Sequence, residues 1–399
     1  MSVLAINAGS SSIRFAVFDA GAPPVRVRGG KIDRIGHREA ELTLSAGAAR
    51  TPAAPVPVDG TSFSSSVNDF LNWLETQPWL RDIEAVGHRV VHGMAHTAPQ
   101  RATRELLSDL KRISALDPEH LPQEIRLVEA IGERLPDLPQ VVCFDTAFHR
   151  DLPRRSALLP IPRRYDAAGI RRYGFHGLSY TYLMQELVRL HDPSAARGRV
   201  ILAHLGSGAS LAAVRDGRCI DTTMGFTPTG GLMMGTRSGD LDPGVLIHLA
   251  ERERMDAAGF RQMLNHESGL KGVSDTSADV RDLLAREASD TRAAEALELF
   301  CYIAKKAIAA FAGALSGVDT LVFAGGIGEN SPEIRARICA GLEFLGIGLS
   351  APRNARHADV ISDEEGSTVT VRVVRTDEES VVAQLTRQVV DARTTGESP

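Results

Sequence analysis

Lysine is scarce in this chain of 399 residues: five lysines stand against 40 arginines. In an Ala- and Gly-rich sequence that skew reads as base composition, so a single arginine carries meaning only through its neighbours. Charge of one sign is also lacking. Lys+Arg 45 against Asp+Glu 50 leaves −5, and without a basic block nucleic-acid binding has no footing. The four cysteines, Cys143, Cys219, Cys301 and Cys339, form no C-x-x-C pair, which fits buried thiols in a reducing compartment better than a disulfide framework. The N-terminus has a short apolar run, residues 3–6, without a basic flank, so no signal peptide is expected. Long hydrophobic runs are missing as well. The most apolar stretch, residues 307–327, is broken by Gly313, Gly317, Asp319 and Gly325 and reads as a buried helix followed by a strand, not a membrane span. A soluble, cytoplasmic protein with neither membrane nor nucleic-acid partners is expected.

Familiar nucleotide and metal motifs are absent too. There is no G-x-x-x-x-G-K-[ST], no G-x-G-x-x-G after a strand and no H-E-x-x-H, which removes the P-loop, dinucleotide and zinc-peptidase readings. His88, His92 and His96 recur every four residues and on a helix would align for zinc. Arg89-Val90-Val91 between them favours a strand, however, and Gly93 breaks a helix.

What is present is a chain with 43% hydrophobic residues, enough for cores in two to three domains. Two segments resemble each other. Leu4-Ala5-Ile6-Asn7-Ala8-Gly9-Ser10-Ser11-Ser12 leads into an apolar run ending at Asp19, and Leu202-Ala203-His204-Leu205-Gly206-Ser207-Gly208-Ala209-Ser210 leads into one ending at Asp216. Each reads as strand, Gly/Ser turn, strand. Heading the two halves of the chain, they suggest a duplicated α/β domain with a cleft between the copies. Further strands are expected at residues 86–92, 141–144 and 321–324, and helices at 67–75, 104–113, 178–190, 293–316 and 378–390, an alternation that means α/β. Ser331 followed by Pro332 marks a helix start. Residues 46–62 read as a connection, 394–399 as a frayed tail, and the prolines 153, 160 and 162 mark a domain boundary near 151–162.

Three Gly turns, each after a strand, offer backbone N–H groups to anionic oxygens, with Ser10 and Ser12 adding hydroxyls. The plain alternative for each is a tight turn. Arg89 lies within an apolar strand, where an unpaired charge is costly, and Asp145 at a strand end, where α/β sites gather. Arg237 sits in the Gly-rich loop from Met233 to Pro243. Singly, Asp145 could cap the next helix and Arg237 could be a solvated loop residue. Jointly, arginines facing phosphate-type turns point to phosphoryl transfer.

Six motifs then match one known family in order and spacing. They are Asn7-Ala8-Gly9-Ser10-Ser11-Ser12, His88-Arg89-Val90-Val91-His92-Gly93, Phe144-Asp145-Thr146-Ala147-Phe148-His149, Tyr173-Gly174-Phe175-His176-Gly177, the Met233–Pro243 loop, and Gly325 through Ser331. Over essentially the whole chain the sequence resembles the acetokinase family of acetate and propionate kinases. The resemblance implies two duplicated actin-like, sugar-kinase-like ATPase lobes with the active site in the cleft between them. It places residues 1–150 in an N-terminal lobe completed by a C-terminal helix, 378–399, and 151–377 in the nucleotide-binding lobe. It implies a homodimer and reversible transfer from ATP to acetate, giving acetyl phosphate and ADP, with Mg2+ or Mn2+. By that resemblance Asn7 and Glu378 hold the metal, and Asp145 and His120 are catalytic. Arg89 grips the substrate carboxylate, and His176 and Arg237 stabilise the transferring group. Arg14, His204, Leu205, Gly206, Ser207, Gly208, Asp279, Val280, Arg281, Gly326, Ile327, Gly328, Glu329 and Asn330 contact the nucleotide. Val91, Phe175 and Pro228 line the acyl pocket.

The chemistry agrees with such a set: a carboxylate nucleophile is already ionised at neutral pH, so positive charge and alignment matter more than a base. Departures from the family pattern fall mainly near the acid. Pro118-Glu119-His120-Leu121-Pro122 replaces the usual Pro-Leu-His-Asn-Pro, Thr229-Gly230 the usual Leu-Glu, Ser207 an Asn and Arg14 a Lys. A propionate or other short-acyl kinase is the nearest alternative. A sugar-kinase-type enzyme or an actin-like ATPase would leave Arg89 and Arg237 without a task.

Overall fold

The computed structural model describes residues 1–9, 12–21, 24–37, 39–46 and 55–394; Ser10, Ser11 and the tail 395–399 lie outside them. The chain divides into two compact units, Met1–Ala147 with Asp377–Pro399, and Phe148–Thr376.

The first unit is built on an eight-stranded sheet in the order β5-β4-β3-β2-β1-β6-β8-β7. Its strands are β1 (Ser2–Ala8), β2 (Ile13–Phe18), β3 (Arg26–Asp33), β4 (Glu41–Ala46), β5 (Val56–Pro57), β6 (Ile83–Val90), β7 (Gln100–Arg101) and β8 (Gln140–Phe144). The span 46–62, expected to be only a connection, contributes the two-residue β5, which pairs with β4. β1, β6 and β8 run parallel, while β2, β3 and β4 continue from β1 as an antiparallel meander. One face carries Leu4, Ile6, Ile13, Phe15 and Val86 against the Phe63–Glu75 and Leu121–Arg134 helices. The scarce aromatics concentrate there: Phe15 lies 5.3 Å from Phe70 and 5.4 Å from Trp73, centroid to centroid. Strand alternation sends Ala5, Asn7, Gly87 and Arg89 to the other face, where the Glu378–Thr394 helix crosses β1, β6 and β8. Its approach at β6 leaves no room for a side chain: a Cβ on Gly87 would lie 2.1 Å from Thr386 Oγ1.

The second unit holds a five-stranded sheet, β11-β10-β9-β12-β13: β9 (Arg199–Leu205), β10 (Ala209–Arg215), β11 (Arg218–Thr222), β12 (Thr320–Ala324) and β13 (Thr370–Val373). From β9 outward, two strands are antiparallel on one side and two parallel on the other. The first unit repeats this pattern as β3-β2-β1-β6-β8, so each similar hairpin seen in the sequence heads the same topology. The Gly177–Arg189 helix packs Tyr180, Leu183 and Leu187 on β9 and β10. The 25-residue Thr291–Leu315 helix starts at an Asp290 cap, and Ser331 caps the Pro332–Cys339 helix. Gly325–Asn330, expected as an open turn, is a short helix. It enters through Gly325 at φ +77, packed so tightly on β9 that a Cβ would lie 2.7 Å from Leu205 O; only glycine fits both conditions. Among the described residues, no helix is long and apolar enough to cross a membrane.

Candidate active site

Ligands of open α/β sheets gather outside the carboxyl ends of the parallel strands, and the chemistry-bearing residues of the first unit fall there. Asn7 is next to last in β1, Arg89 next to last in β6, and Asp145 follows β8 directly. Arg89 is 15% exposed and is held at both terminal nitrogens. Nη2 donates to Asp145 Oδ2 at 2.7 Å, and Nη1 donates to Glu124 Oε1 at 2.9 Å. Its Nε–H is buried and has no partner among the described residues. Burial works against the guanidinium, but Asp145, Glu124 and Glu378 outweigh it and raise its pKa. Asp145 Oδ1 is likewise buried without a partner. Asn7 Nδ2 donates to Glu378 Oε2 at 3.1 Å. Burial first, then the nearby Asp145 charge, pushes the Glu378 carboxyl up to about 7, against the pull of Arg89.

Three carboxylates therefore share one guanidinium. Glu124 is the member that motif reasoning missed. It accepts Val91 N–H at 2.9 Å as well as Arg89, and burial pushes its carboxyl up to about 7 against the lowering by Arg89, Val91 N–H and His120. A signal was present. Leu121, Ile125 and Val128 form an apolar stripe at helical spacing, and Glu124 stands inside it, where an acid is costly unless paired. His120 begins that helix, and its backbone N–H and Nδ1 both face Asp117 Oδ1, at 3.1 and 2.9 Å. Glu119 is half-buried. Arg14 is exposed on β2, opposite Asn7 in register, and takes its place in this unit.

The second unit gathers the remaining residues around the turn after β9. His176 takes a left-handed conformation, φ 58, at the start of the Gly177–Arg189 helix. Its Nδ1 meets Ser210 Oγ at 2.8 Å, and its ring stacks on His204 at 4.2 Å. Ser210 is bound in turn by the Tyr180 hydroxyl. His204 Nδ1 meets Ser179 Oγ at 2.8 Å, and Ser179 bonds Thr376. These hydroxyl partners carry no motif signal. Arg237 Nη1 donates to Pro228 O at 3.3 Å, and Gly235 N–H ties its loop to Ser207 O at 3.1 Å. His176 and Arg237 converge on one spot: a Cβ on Gly208 would lie 3.2 Å from His176 Nε2 and 3.7 Å from Arg237 Nη1.

Beside that turn opens a pocket of about 560 Å3, lined by Gly206, Ser207, Ala278, Asp279, Val280, Arg281, Gly326, Ile327, Asn330 and Ser331. Its size suits a nucleotide-sized ligand. The other expected nucleotide residues lie behind it. Leu205 and Gly328 are buried, and Glu329 turns inward, its Oε1 accepting from Gly325 N–H at 3.0 Å and Thr376 N–H at 3.1 Å. Arg335, fully buried, props the back of the same short helix by donating to Gly328 O at 2.8 Å and Glu329 O at 3.1 Å. Asp279 caps the following helix and holds Arg281. Phe175 is buried, with its carbonyl 3.0 Å from His149 Nε2. Thr229 Oγ1 donates to Asn265 Oδ1 at 2.7 Å. The His88, His92 and His96 series forms no metal cluster among the described residues. His88 is buried on its strand against Gln140 Oε1 at 2.7 Å, and burial lowers its pKa to about 4.

Comparison with known proteins adds four findings. The family model described as Acetokinase family matches residues 2–384. A protein of Rhodopseudomonas palustris named acetate kinase is 41% identical over 395 residues, covering 98% of both chains. A Citrobacter rodentium protein named propionate kinase is 40% identical over the same coverage. Among solved structures, the Porphyromonas gingivalis acetate kinase superposes with a TM-score of 0.86 at 35% identity, covering 98% of this chain and 99% of that one.

Proposed function

The chain belongs to the acetokinase family, and on that footing we propose that it transfers the γ-phosphoryl group of ATP reversibly to the carboxylate of acetate, giving acetyl phosphate and ADP. The observation that carries the reading is Arg89. A guanidinium fixed at both ends by Asp145 and Glu124, with a buried Nε–H that has no partner among the described residues, suits an incoming carboxylate and has no use in hydroxyl phosphorylation. Asp145 acts as the orienter of Arg89 and not as a base, since the nucleophile needs no deprotonation. Val91, Phe175 and Pro228 are assigned to the acyl group. In the second unit, Gly206 to Gly208 and the 326–330 segment take the phosphates through their backbone N–H groups, and residues 279–281 take the rest of the nucleotide. His176 and Arg237 stabilise the transferring phosphoryl group, whose charge spreads over its equatorial oxygens.

A divalent ion fits the first unit. Glu378 is a buried carboxyl, Asp145 Oδ1 lacks a partner among the described residues, and Asn7 carries an amide oxygen next to Glu378. Few protein oxygens are offered, which suits Mg2+ with its retained waters and phosphate ligands. Asn7 and Glu378 would hold it, and when bound it would neutralise phosphate charge.

Propionate is the second reading, favoured by the relative named propionate kinase and by Thr229-Gly230 in the loop beside Pro228. Trapping the acyl phosphate as hydroxamate, with acetate, propionate and butyrate on wild type and Glu119→Leu, tests both. Acetate should give the highest kcat/KM, and no hydroxamate from any acid refutes the reading. A homodimer is supported by the Pro243–Glu253 helix, none of whose residues is buried and which exposes Val245 and Ile247 beside Leu241. Light scattering should give twice the chain mass, and Ile247→Asp should halve it.

A further inference from the structure

In the chemistry above Glu124 only helps to hold Arg89, yet its carboxylate occupies two donors at the acid-binding end. Oε1 takes Arg89 Nη1 and Oε2 takes Val91 N–H, each at 2.9 Å. One residue is assigned to the substrate carboxylate and the other to its acyl chain. We infer that Glu124 is an affinity-setting residue for the acid substrate: a resident carboxylate that occupies part of the substrate's own binding group and repels a second carboxylate there. This rests on the reading of Arg89 as the residue that grips the acid.

A brace for Arg89 and nothing more is the simpler alternative, and the geometry disfavours it. Asp145 already fixes the guanidinium at 2.7 Å from the other side. Glu124, with its side chain 1% exposed, cannot turn to solvent when a substrate arrives, so the two carboxylates must coexist. At an effective dielectric of about 20, like charges about 6 Å apart are disfavoured roughly a hundredfold. Part of that is offset by whatever stabilises the bound acid, so at least a tenfold effect is expected.

The charge on Glu124 also varies near neutrality. The groups facing it are Arg89 and Val91 N–H from β6 and the residue after it, with His120 and Asp117 from the start of its own helix. Asp145 and Glu378 act on the same Arg89. With its carboxyl pushed up to about 7, Glu124 is increasingly neutral below that pH and charged above it. Small carboxylic acids stay ionised over the same range. Affinity for the acid should therefore fall as pH rises through about 7.

The test is steady-state kinetics on wild type, Glu124→Gln and Glu124→Leu, with acetate and propionate as probes, from about pH 6 to about pH 8.5. Glu124→Gln keeps the shape, and Glu124→Leu completes the apolar stripe should the amide fold poorly. Either variant should lower KM for acetate about tenfold at the alkaline end and flatten its rise with pH. KM for ATP should stay within about twofold. An acetate KM that is unchanged or raised in both variants overturns the inference, a rise meaning that Glu124 is a brace. Arg89→Gln separates the underlying reading: if its acetate KM equals wild type, Arg89 does not bind the acid, whatever Glu124 does.

Discussion

Gly208→Ala places a methyl carbon 3.2 Å from His176 Nε2, 3.5 Å from its Cε1 and 3.7 Å from Arg237 Nη1. The first distance is tighter than ordinary van der Waals contact, so something must give by a few tenths of an ångström. The imidazole is the groove wall least able to give. Its Nδ1 is held by Ser210 at 2.8 Å, its ring is stacked on His204, and its backbone is in the left-handed region. Tilting the ring lengthens one partly buried hydrogen bond, a loss of about 1 kcal/mol of stability. Gly208 has no positive φ, so no backbone strain is added.

The catalytic cost should be larger than the folding cost. The methyl stands where the two groups assigned to the transferring phosphoryl converge, and a misplacement of about 1 Å costs about 10²-fold in rate, or about 2.7 kcal/mol of activation free energy. Hydroxamate kinetics should therefore show kcat down about a hundredfold, with the melting temperature lowered by only about 2–4 °C. A Gly208→Ala enzyme that kept half of wild-type kcat, with normal folding, would show that His176 and Arg237 do not meet the reacting group over Gly208.

Arg237→Ala removes the cation itself while its loop stays anchored through Gly235 and Ser207. It should cost about 10³–10⁵ in kcat, and circular dichroism should report an unchanged fold. A second expectation concerns acid stability. His88 is buried and its pKa lowered to about 4, below the ordinary value of about 6.5, so the unfolded chain binds a proton in that window and the folded chain does not. Its contribution is fully present above about pH 6.5 and falls by roughly 3 kcal/mol as pH drops toward 4. Urea titrations of wild type and His88→Gln should diverge over that window, and parallel curves would mean that His88 is accessible to protons in the fold.

Much of the fold was legible because its signals are local. The helix expected at 104–113 spans Arg104–Ile113, and that at 293–316 spans Thr291–Leu315; each begins at a side-chain cap, Thr103 and Asp290. The two similar hairpins proved to head the same strand order. What local chemistry could not show was β5, two residues long, which exists only because β4 offers an edge. Nor could it show that Gly325–Asn330 coils into a helix. Six residues with three glycines have poor helix propensity, and the conformation is imposed from outside, by Leu205 packed against Gly325 and by Arg335 drawing in the Gly328 and Glu329 carbonyls.

The same limit applies to the site, for a reason of electrostatics. Motifs located Arg89 and Asp145 one by one, the resemblance added Glu378, and Glu119 stood out as an acidic departure from the family pattern. Glu124 stood out in its apolar stripe, but its partner emerged only when the strand end and the Leu121–Arg134 helix were seen to share a guanidinium. A charge's effect depends on what surrounds it within a few ångströms, where the dielectric is low, and sequence spacing does not report that. Three carboxylates about one arginine are tolerable because Asp145 and Glu124 take its two ends while Glu378 accepts from Asn7. With Arg89 read as the residue that grips the acid, a substitution at Asp145 or Glu124 should therefore alter affinity for it.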